Sequence, residues 1–199
     1  MVLPRRLTAP RPLAVTIGEA ISVLVADQNL ASNYAAENDN KALAIEPESG
    51  RSFRSGGVPT AEVAERTALE GCQISYALPC VLVASNDQLR APDPLGAERR
   101  DMPRVRHAGA YQPDKVPMNW NSAAQDTLKA YRSYKGHKAL AIRPVRTTFF
   151  VAHGEKSAAE AERKALAGCN ARGETPYPCI LYAVNNNVIL PQRRTEPNR

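Results

Sequence analysis

The sequence predicts an α+β protein built from two tandem β-β-α-β modules, each preceded by a short helix and each closed by one disulfide. Three observations predict this fold: an internal repeat at an offset of 97 residues, strand-like and helix-like segments in the same order in both copies, and one pair of cysteines per copy. The chain has 199 residues, 43% hydrophobic and 23% charged, which is typical of globular proteins and argues against wholesale disorder. No apolar run approaches the roughly 20 residues that a transmembrane helix needs.

The internal repeat predicts the domain boundaries. Lys41–Ile45 recurs as Lys138–Ile142, and 16 of the 32 residues at positions 41–72 are identical in the second copy. After the first cysteine of each copy the second copy is two residues longer, and the match then continues through Pro-Cys to the last strand. The predicted parts are a basic, proline-rich arm at 1–17, module 1 at 18–90, a linker at 91–116, module 2 at 117–190 and a basic tail at 191–199.

Each module is predicted to begin with a helix and a hairpin. Apolar residues recur at helical intervals over 18–35 and 119–133, which predicts the short helices. The Lys-Ala-Leu-Ala-Ile segment that follows is a predicted strand, stopped by a proline two residues later. A second strand at 52–55 and 147–152 completes the hairpin.

A second helix follows the hairpin in each module. Thr60 and Ser157 are predicted N-caps, since acidic residues follow them at the start of the helix. Gly71 and Gly168 are the predicted C-terminal stops of this helix. A stripe of small residues along the helix predicts that it lies close to the sheet, and a buried strand begins after the next cysteine.

The four cysteines are predicted to form two disulfides, Cys72–Cys80 and Cys169–Cys179. Their C-x7-C and C-x9-C spacings differ from the C-x2-C spacing typical of zinc sites, although free buried thiols and metal binding remain as alternatives. Disulfides imply an oxidising compartment, so we expect a periplasmic or extracellular protein. The N-terminus fits this location poorly, because the apolar stretch after its basic start contains Glu19 and is a poor signal peptide.

These motifs resemble a small module of exported bacterial proteins of unknown function. Its core reads A-x-A, W-G-x-x-x-G, S-x-x-E-A, A-L-x-x-C and C-x-L-Y-A-V, and both repeats follow it over about half of the chain. The second copy matches better, through Ser157, Glu160, Cys169, Cys179 and Tyr182 among others. Both copies lack the W-G of the hairpin. The resemblance implies a secreted or periplasmic, non-catalytic module and supplies no active site.

Motifs of the common catalytic classes are missing from the sequence. It has no G-x-S-x-G elbow, no glycine-rich phosphate loop and no H-E-x-x-H metal motif. His153 lies four residues before Ser157, but we expect that hydroxyl to cap a helix rather than to act as a nucleophile. We therefore predict no catalytic residue, no metal site and no cofactor.

The net charge of +6 allows an anionic partner. Much of the basic excess lies in the arm, the linker and the tail. Within module 2, basic residues alternate with aromatic ones on the hairpin, and Tyr134 and Lys135 add to this pattern before it. The candidate binding residues are Arg143, Arg146, Phe149, Tyr131 and Arg132.

The leading hypothesis is a non-enzymatic envelope or secreted interaction module. We expect it to be an accessory subunit that binds a protein partner through its extended arms. The first alternative is a nucleic-acid-binding protein that uses the basic-aromatic hairpin of module 2. The second alternative is a hydrolase with a site between the modules. No membrane span is expected.

Overall fold

A computed structural model describes residues 13–24, 29–145, 147–173 and 177–193. The helices are α1 (Ile17–Leu24), α2 (Asn29–Ala35), α3 (Ala61–Tyr76), α4 (Pro103–Arg106), α5 (Ser122–Ala130), α6 (Ala158–Asn170) and α7 (Leu190–Arg193), with 3₁₀ turns at Pro113–Lys115 and Tyr131–Ser133. The strands are β1 (Ala42–Glu46), β2 (Arg51–Ser55), β3 (Val81–Ser85), β4 (Gln88–Leu89), β5 (Gly109–Ala110), β6 (His137–Arg143), β7 (Thr148–Glu155), β8 (Ile180–Val184) and β9 (Asn187–Val188).

The α+β class and the two disulfides, one in each half of the chain, are confirmed. Module 1 forms a four-stranded antiparallel sheet of order β2-β1-β3-β4. Module 2 repeats it as β7-β6-β8-β9 and adds β5 at the edge. In both modules the hairpin pairs with the strand that follows the long helix, so the repeated strand β1 or β6 lies in the centre of its sheet.

The Ala-Leu-Ala-Ile sequence of the central strand explains how each sheet is covered. Ala42 and Ala44 pack in the cluster under α3, where small side chains let the helix approach closely. Leu43 and Ile45 point to the opposite face and pack with residues of α1 and α2. Module 2 repeats the pattern, with α6 on the alanine face and α5 on the other. Both faces of each central strand are therefore buried along its Ala-Leu-Ala-Ile sequence.

The long helices begin where the sequence predicts and end later. The Thr60 and Ser157 side chains accept hydrogen bonds from the backbone N–H three residues on, at 3.3 and 3.1 Å. The predicted stops at Gly71 and Gly168 are wrong, because α3 and α6 continue past them. Each glycine lies against the phenylalanine ring of its hairpin. A Cβ on Gly71 would lie 2.4 Å from a ring carbon of Phe53, so this position needs close packing and not a helix stop.

The segment 91–116, predicted as an irregular linker, contains short regular elements and packs into the core. It contains α4, β5 and a 3₁₀ turn, and Val105, Tyr111 and Val116 are buried in the core of module 2. Strand β5 pairs with β9. Ile74 of α3 belongs to the same cluster, so the two modules share one hydrophobic core at their junction.

The predicted terminal arms fall mainly outside the described residues, which exclude 1–12 and 194–199. Within the described ranges, α1 begins at Ile17 and α7 covers 190–193. No helix in these ranges combines the length and the apolarity needed to cross a bilayer.

Candidate functional site

A repeated tyrosine–lysine contact supports the loop before each central strand. The Tyr131 hydroxyl donates to the carbonyls of Lys138 and Ala183 at 3.5 and 3.4 Å, and the Lys138 ammonium lies 5.1 Å from the centre of the Tyr131 ring. In module 1 the Tyr34 hydroxyl donates to the carbonyls of Lys41 and Asn86, and the Lys41 ammonium lies 5.4 Å from the centre of the Tyr34 ring. Tyr131 is fully buried, so its predicted place on a binding surface is wrong.

Lys138 is a buried cation that organises the adjacent loop. Its Nζ donates to the carbonyls of Arg132 and Tyr134, both at 3.0 Å, and the residue is only 3% exposed. Burial lowers the pKa of Lys138, and the nearby charge of Lys135 lowers it further. The two carbonyls hold the chain from Arg132 to Lys138 in a fixed curve at one end of the second sheet.

Arg143 is buried, which corrects its predicted role in a binding surface. The residue is 1% exposed and lies at the end of β6, under the turn that follows α6. Its guanidinium donates to the carbonyls of Gly173 and Cys169 at 3.0 and 2.9 Å. Its Nη2 also lies 3.4 Å from the Sγ of Cys179. Arg146 lies outside the described residues.

Phe149 packs against the core, which corrects its predicted role in a binding surface. It is half-buried, and its ring meets the Trp120 ring edge-on at 5.3 Å between centroids. Phe150 faces the other side of the sheet and lies against Gly168 of α6. Of the predicted binding residues within the described ranges, Arg132 alone is exposed.

Arg132 lies on an open depression at the end of the second sheet. The depression has a volume of about 550 Å³ and is lined by residues 132–138 together with Asn185 and Asn186. Arg132, Lys135 and His137 are exposed there. The site is therefore basic, and it is formed by one continuous segment and the β8–β9 turn.

An aromatic pair stands beside the depression. The rings of Tyr134 and His153 stack at 4.1 Å between centroids and 13° between planes. The backbone at Gly136 has a positive φ of 71°, and a Cβ there would lie 3.0 Å from Gly154 Cα. This close approach, together with the 3.1 Å hydrogen bond from Gly154 N to Lys135 O, brings the His153 strand next to the loop.

The corresponding surface of module 1 is acidic. The repeat aligns Tyr134 with Glu37, Gly136 with Asp39 and Asn186 with Asp87. Over the whole of module 1, residues 18–90 include 10 acidic and 5 basic residues, a formal charge of −5. Residues 117–190 of module 2 include 5 acidic and 10 basic residues, a formal charge of +5. This contrast can be found in the sequence by counting the charge of each module separately, because the two module charges cancel in the net charge of the whole chain.

The ion pairs around the two equivalent surfaces also differ. On module 1, Glu37 pairs with Arg54 and Asp87 pairs with Lys41, each at 3.7 Å. On module 2, Arg132 and Lys135 form no ion pair with any residue that the structure describes. The cations of the depression are therefore available to an anionic group.

The junction between the modules is closed by a buried ion pair. Glu70 is fully buried, and it accepts hydrogen bonds from Arg104 Nε at 2.7 Å, from Arg104 Nη2 at 2.6 Å and from Met118 N at 2.7 Å. Gln73 donates to the Arg100 carbonyl and accepts from Met102 N. These polar groups hold 100–118 against α3, and their hydrogen bonds are used within the protein.

Three groups with catalytic potential have structural partners. The Ser157 hydroxyl caps α6, and His153 stacks on Tyr134. His107 Nε2 contacts the Ala110 carbonyl at 3.2 Å. Across the described ranges, His, Cys, Asp and Glu side chains form no group of three or more that could hold a metal ion.

Neither the family models, nor the curated proteins, nor the solved structures compared with this chain match it.

Proposed function

We propose that this protein is a non-enzymatic interaction protein of the cell envelope or the extracellular space. In this proposal it is an accessory subunit that binds an acidic segment of a protein partner in the depression of module 2. The observation that supports this proposal most strongly is that two copies of one fold have opposite charges, negative in module 1 and positive in module 2. The two disulfides indicate a non-cytoplasmic protein, which supports the location.

The way the copies have diverged supports a binding role. The buried Tyr–Lys contact is the same in both modules, whereas the surface next to it is acidic in one and basic in the other. Arg132 and Lys135 line a concave surface and form no ion pair with any described residue, so their charge is accessible to a partner. Arg132 and Lys135 are exposed, and close charge complementarity with a partner increases both the rate and the specificity of association.

A nucleic acid is the second candidate, because the exposed His153 ring offers a face on which a base can stack beside the cations. The depression is short, and the other predicted contributors, Arg143 and Phe149, are packed inside the protein. Single-stranded nucleic acids are bound along extended grooves with several stacking positions. The local shape therefore favours an acidic peptide.

The test is binding of a labelled glutamate-rich peptide and of a single-stranded oligonucleotide of equal charge, measured by fluorescence anisotropy at several salt concentrations. We expect the Arg132→Glu/Lys135→Glu variant to bind the peptide about tenfold more weakly or worse. The matched control is Lys129→Glu/Arg163→Glu, which changes the net charge equally at exposed positions elsewhere on module 2. Equal losses in the two variants would contradict a specific site, and a preference for the oligonucleotide would favour the second candidate.

The contribution of the N-terminal arm to partner binding is tested separately. Arg5, Arg6 and Arg11 add positive charge to the N-terminal arm. If this arm contributes to partner binding, a chain lacking residues 1–12 will bind the acidic peptide more weakly while unfolding at the same temperature. Unchanged affinity would restrict the proposal to the depression.

A further inference from the structure

The two disulfides occupy equivalent positions but have different electrostatic surroundings. Arg143 Nη2 lies 3.4 Å from the Sγ of Cys179. The equivalent residue of module 1 is Glu46. Its carboxylate accepts hydrogen bonds from the Ser49 hydroxyl and from the backbone N–H groups of Glu48 and Ser49. A cation therefore touches one disulfide, and the other copy replaces that cation with an acid.

The charge of Arg143 has no carboxylate partner among the described residues. Its hydrogen bonds go to two backbone carbonyls, and its Nε has no partner there. A buried guanidinium stabilises an anion that forms beside it, because a nearby opposite charge favours the charged form of a group. A thiolate on Cys179 would form in contact with this group, and contact with a cation favours the thiolate over the thiol.

Residue exposure separates the two bridges further, whereas loop size does not. Cys179 is 6% exposed, whereas Cys72, Cys80 and Cys169 are each 0% exposed. Cys179 is therefore the most exposed of the four cysteines, although all four are buried. The bridged residues are 8 and 10 positions apart, so the loop-closure entropies are nearly equal and do not distinguish the bridges.

We propose that Cys169–Cys179 is an exchangeable disulfide that reacts with dithiols, whereas Cys72–Cys80 is a structural bridge. A thiolate of the dithiol attacks Cys179 Sγ, and the bond to Cys169 breaks and leaves Cys169 as a thiolate that takes up a proton. The second thiolate of the dithiol then attacks its own mixed-disulfide sulfur and releases Cys179 as a thiolate beside Arg143. The protein disulfide is reduced by two electrons, and the dithiol is oxidised to a disulfide. Arg143 assists the second step, because it stabilises the leaving thiolate.

The experiment is a titration of the full-length oxidised protein with dithiothreitol at neutral pH. Samples are quenched with acid and alkylated, and the modified cysteines are identified by peptide mass spectrometry. We expect Cys169 and Cys179 to become labelled at a ratio of reduced to oxidised dithiothreitol about tenfold lower than Cys72 and Cys80, since contact with a cation favours a thiolate by about this factor or more. Equal labelling of both pairs, or earlier labelling of Cys72 and Cys80, would overturn the proposal.

Variants test the role of the guanidinium. We expect Arg143→Met to make Cys169–Cys179 about tenfold harder to reduce, and Arg143→Lys to retain part of the effect through its charge. Arg172→Met is the matched control, because Arg172 is exposed and lies over the Phe150 ring in the same module. If Arg143→Met merely loosened the fold, the Cys169–Cys179 bridge would become easier to reduce, which is opposite to the effect expected from loss of the guanidinium. An Arg143→Met protein that is reduced as easily as the parent, or more easily, therefore overturns the assignment.

Discussion

Replacing Glu70 with glutamine tests the buried ion pair that joins the modules. Glutamine keeps the volume of the side chain, so no cavity forms. It removes the negative charge that faces Arg104. In place of one carboxylate oxygen it puts an amide N–H₂, which cannot accept the hydrogen bonds that Arg104 and the Met118 N–H donate in the parent protein. Arg104 is 20% exposed and cannot be fully rehydrated without displacing the segment 100–118.

We expect Glu70→Gln to lower the free energy of unfolding by about 3–5 kcal/mol, the usual cost of removing one partner of a buried pair. With a urea m-value of about 2 kcal/mol/M, the midpoint would fall by about 2 M. The assay is equilibrium unfolding in urea, followed by circular dichroism and by the fluorescence of Trp120. This tryptophan is buried in the shared core, so its signal reports on the junction.

The control is Glu62→Gln, an exposed glutamate on the same helix, which should leave the midpoint nearly unchanged. A second measurement compares Glu70→Gln, Arg104→Met and the double variant. We expect a coupling energy above about 1.5 kcal/mol for a shared, desolvated network. A midpoint shift below about 0.5 M, or additive single changes, would refute the view that this ion pair is a main determinant of module docking.

Three further predictions concern single positions. Gly71→Ala should destabilise the protein by about 1–3 kcal/mol in urea unfolding, despite the better helix propensity of alanine, because the added Cβ meets the Phe53 ring. Phe53→Leu replaces this ring with a smaller side chain, so the same Gly71→Ala change should cost less in a Phe53→Leu background. Burial alone would raise the pKa of Glu46, but hydrogen bonds from Ser49 and the adjacent backbone outweigh burial, so the pKa is lowered. The lowered pKa stabilises the folded protein above the pKa that Glu46 has in the unfolded chain. This stabilisation is lost as the pH falls through the pKa that Glu46 has in the folded protein. Ser49→Ala should therefore move the acid-unfolding midpoint to higher pH, and an unchanged midpoint would contradict this. Thr60→Ala should cost about 1 kcal/mol through loss of the helix cap, whereas Thr60→Ser should be nearly neutral in thermal unfolding.

The parts of the fold that depend on neighbouring residues were predictable from the sequence. The caps at Thr60 and Ser157 act within three residues, and each disulfide closes a loop of 8 or 10 residues. The repeat provided a second copy of every such signal. The folded state of 91–116 was not predictable in this way, because its strand Gly109–Ala110 pairs with residues near 188 and its apolar side chains are widely spaced among prolines and arginines.

The candidate site was only partly predictable, for a physical reason. Alternation along a strand assigns side chains to two faces, but it does not show whether a face is exposed. Here helices or segments cover both faces of the sheet, so Arg143 and Phe149 are packed although they alternate correctly. Arg132 and Tyr134 were named in the basic-aromatic cluster, but the stacking of Tyr134 on His153 depends on the close approach of Gly136 and Gly154, which no local pattern indicates.

The pairing of β5 with β9 has a consequence for synthesis of the chain. Strand β5 leaves the ribosome or a translocation channel 79 residues before its partner, since Gly109 pairs with Val188. At about 5–20 residues per second, it waits roughly 4–16 s for that partner. During this interval module 1 is already complete, whereas Val105, Tyr111 and Val116 are exposed to water and to chaperones. Nascent chains stalled in this window should therefore be the species most prone to aggregation and to proteolysis.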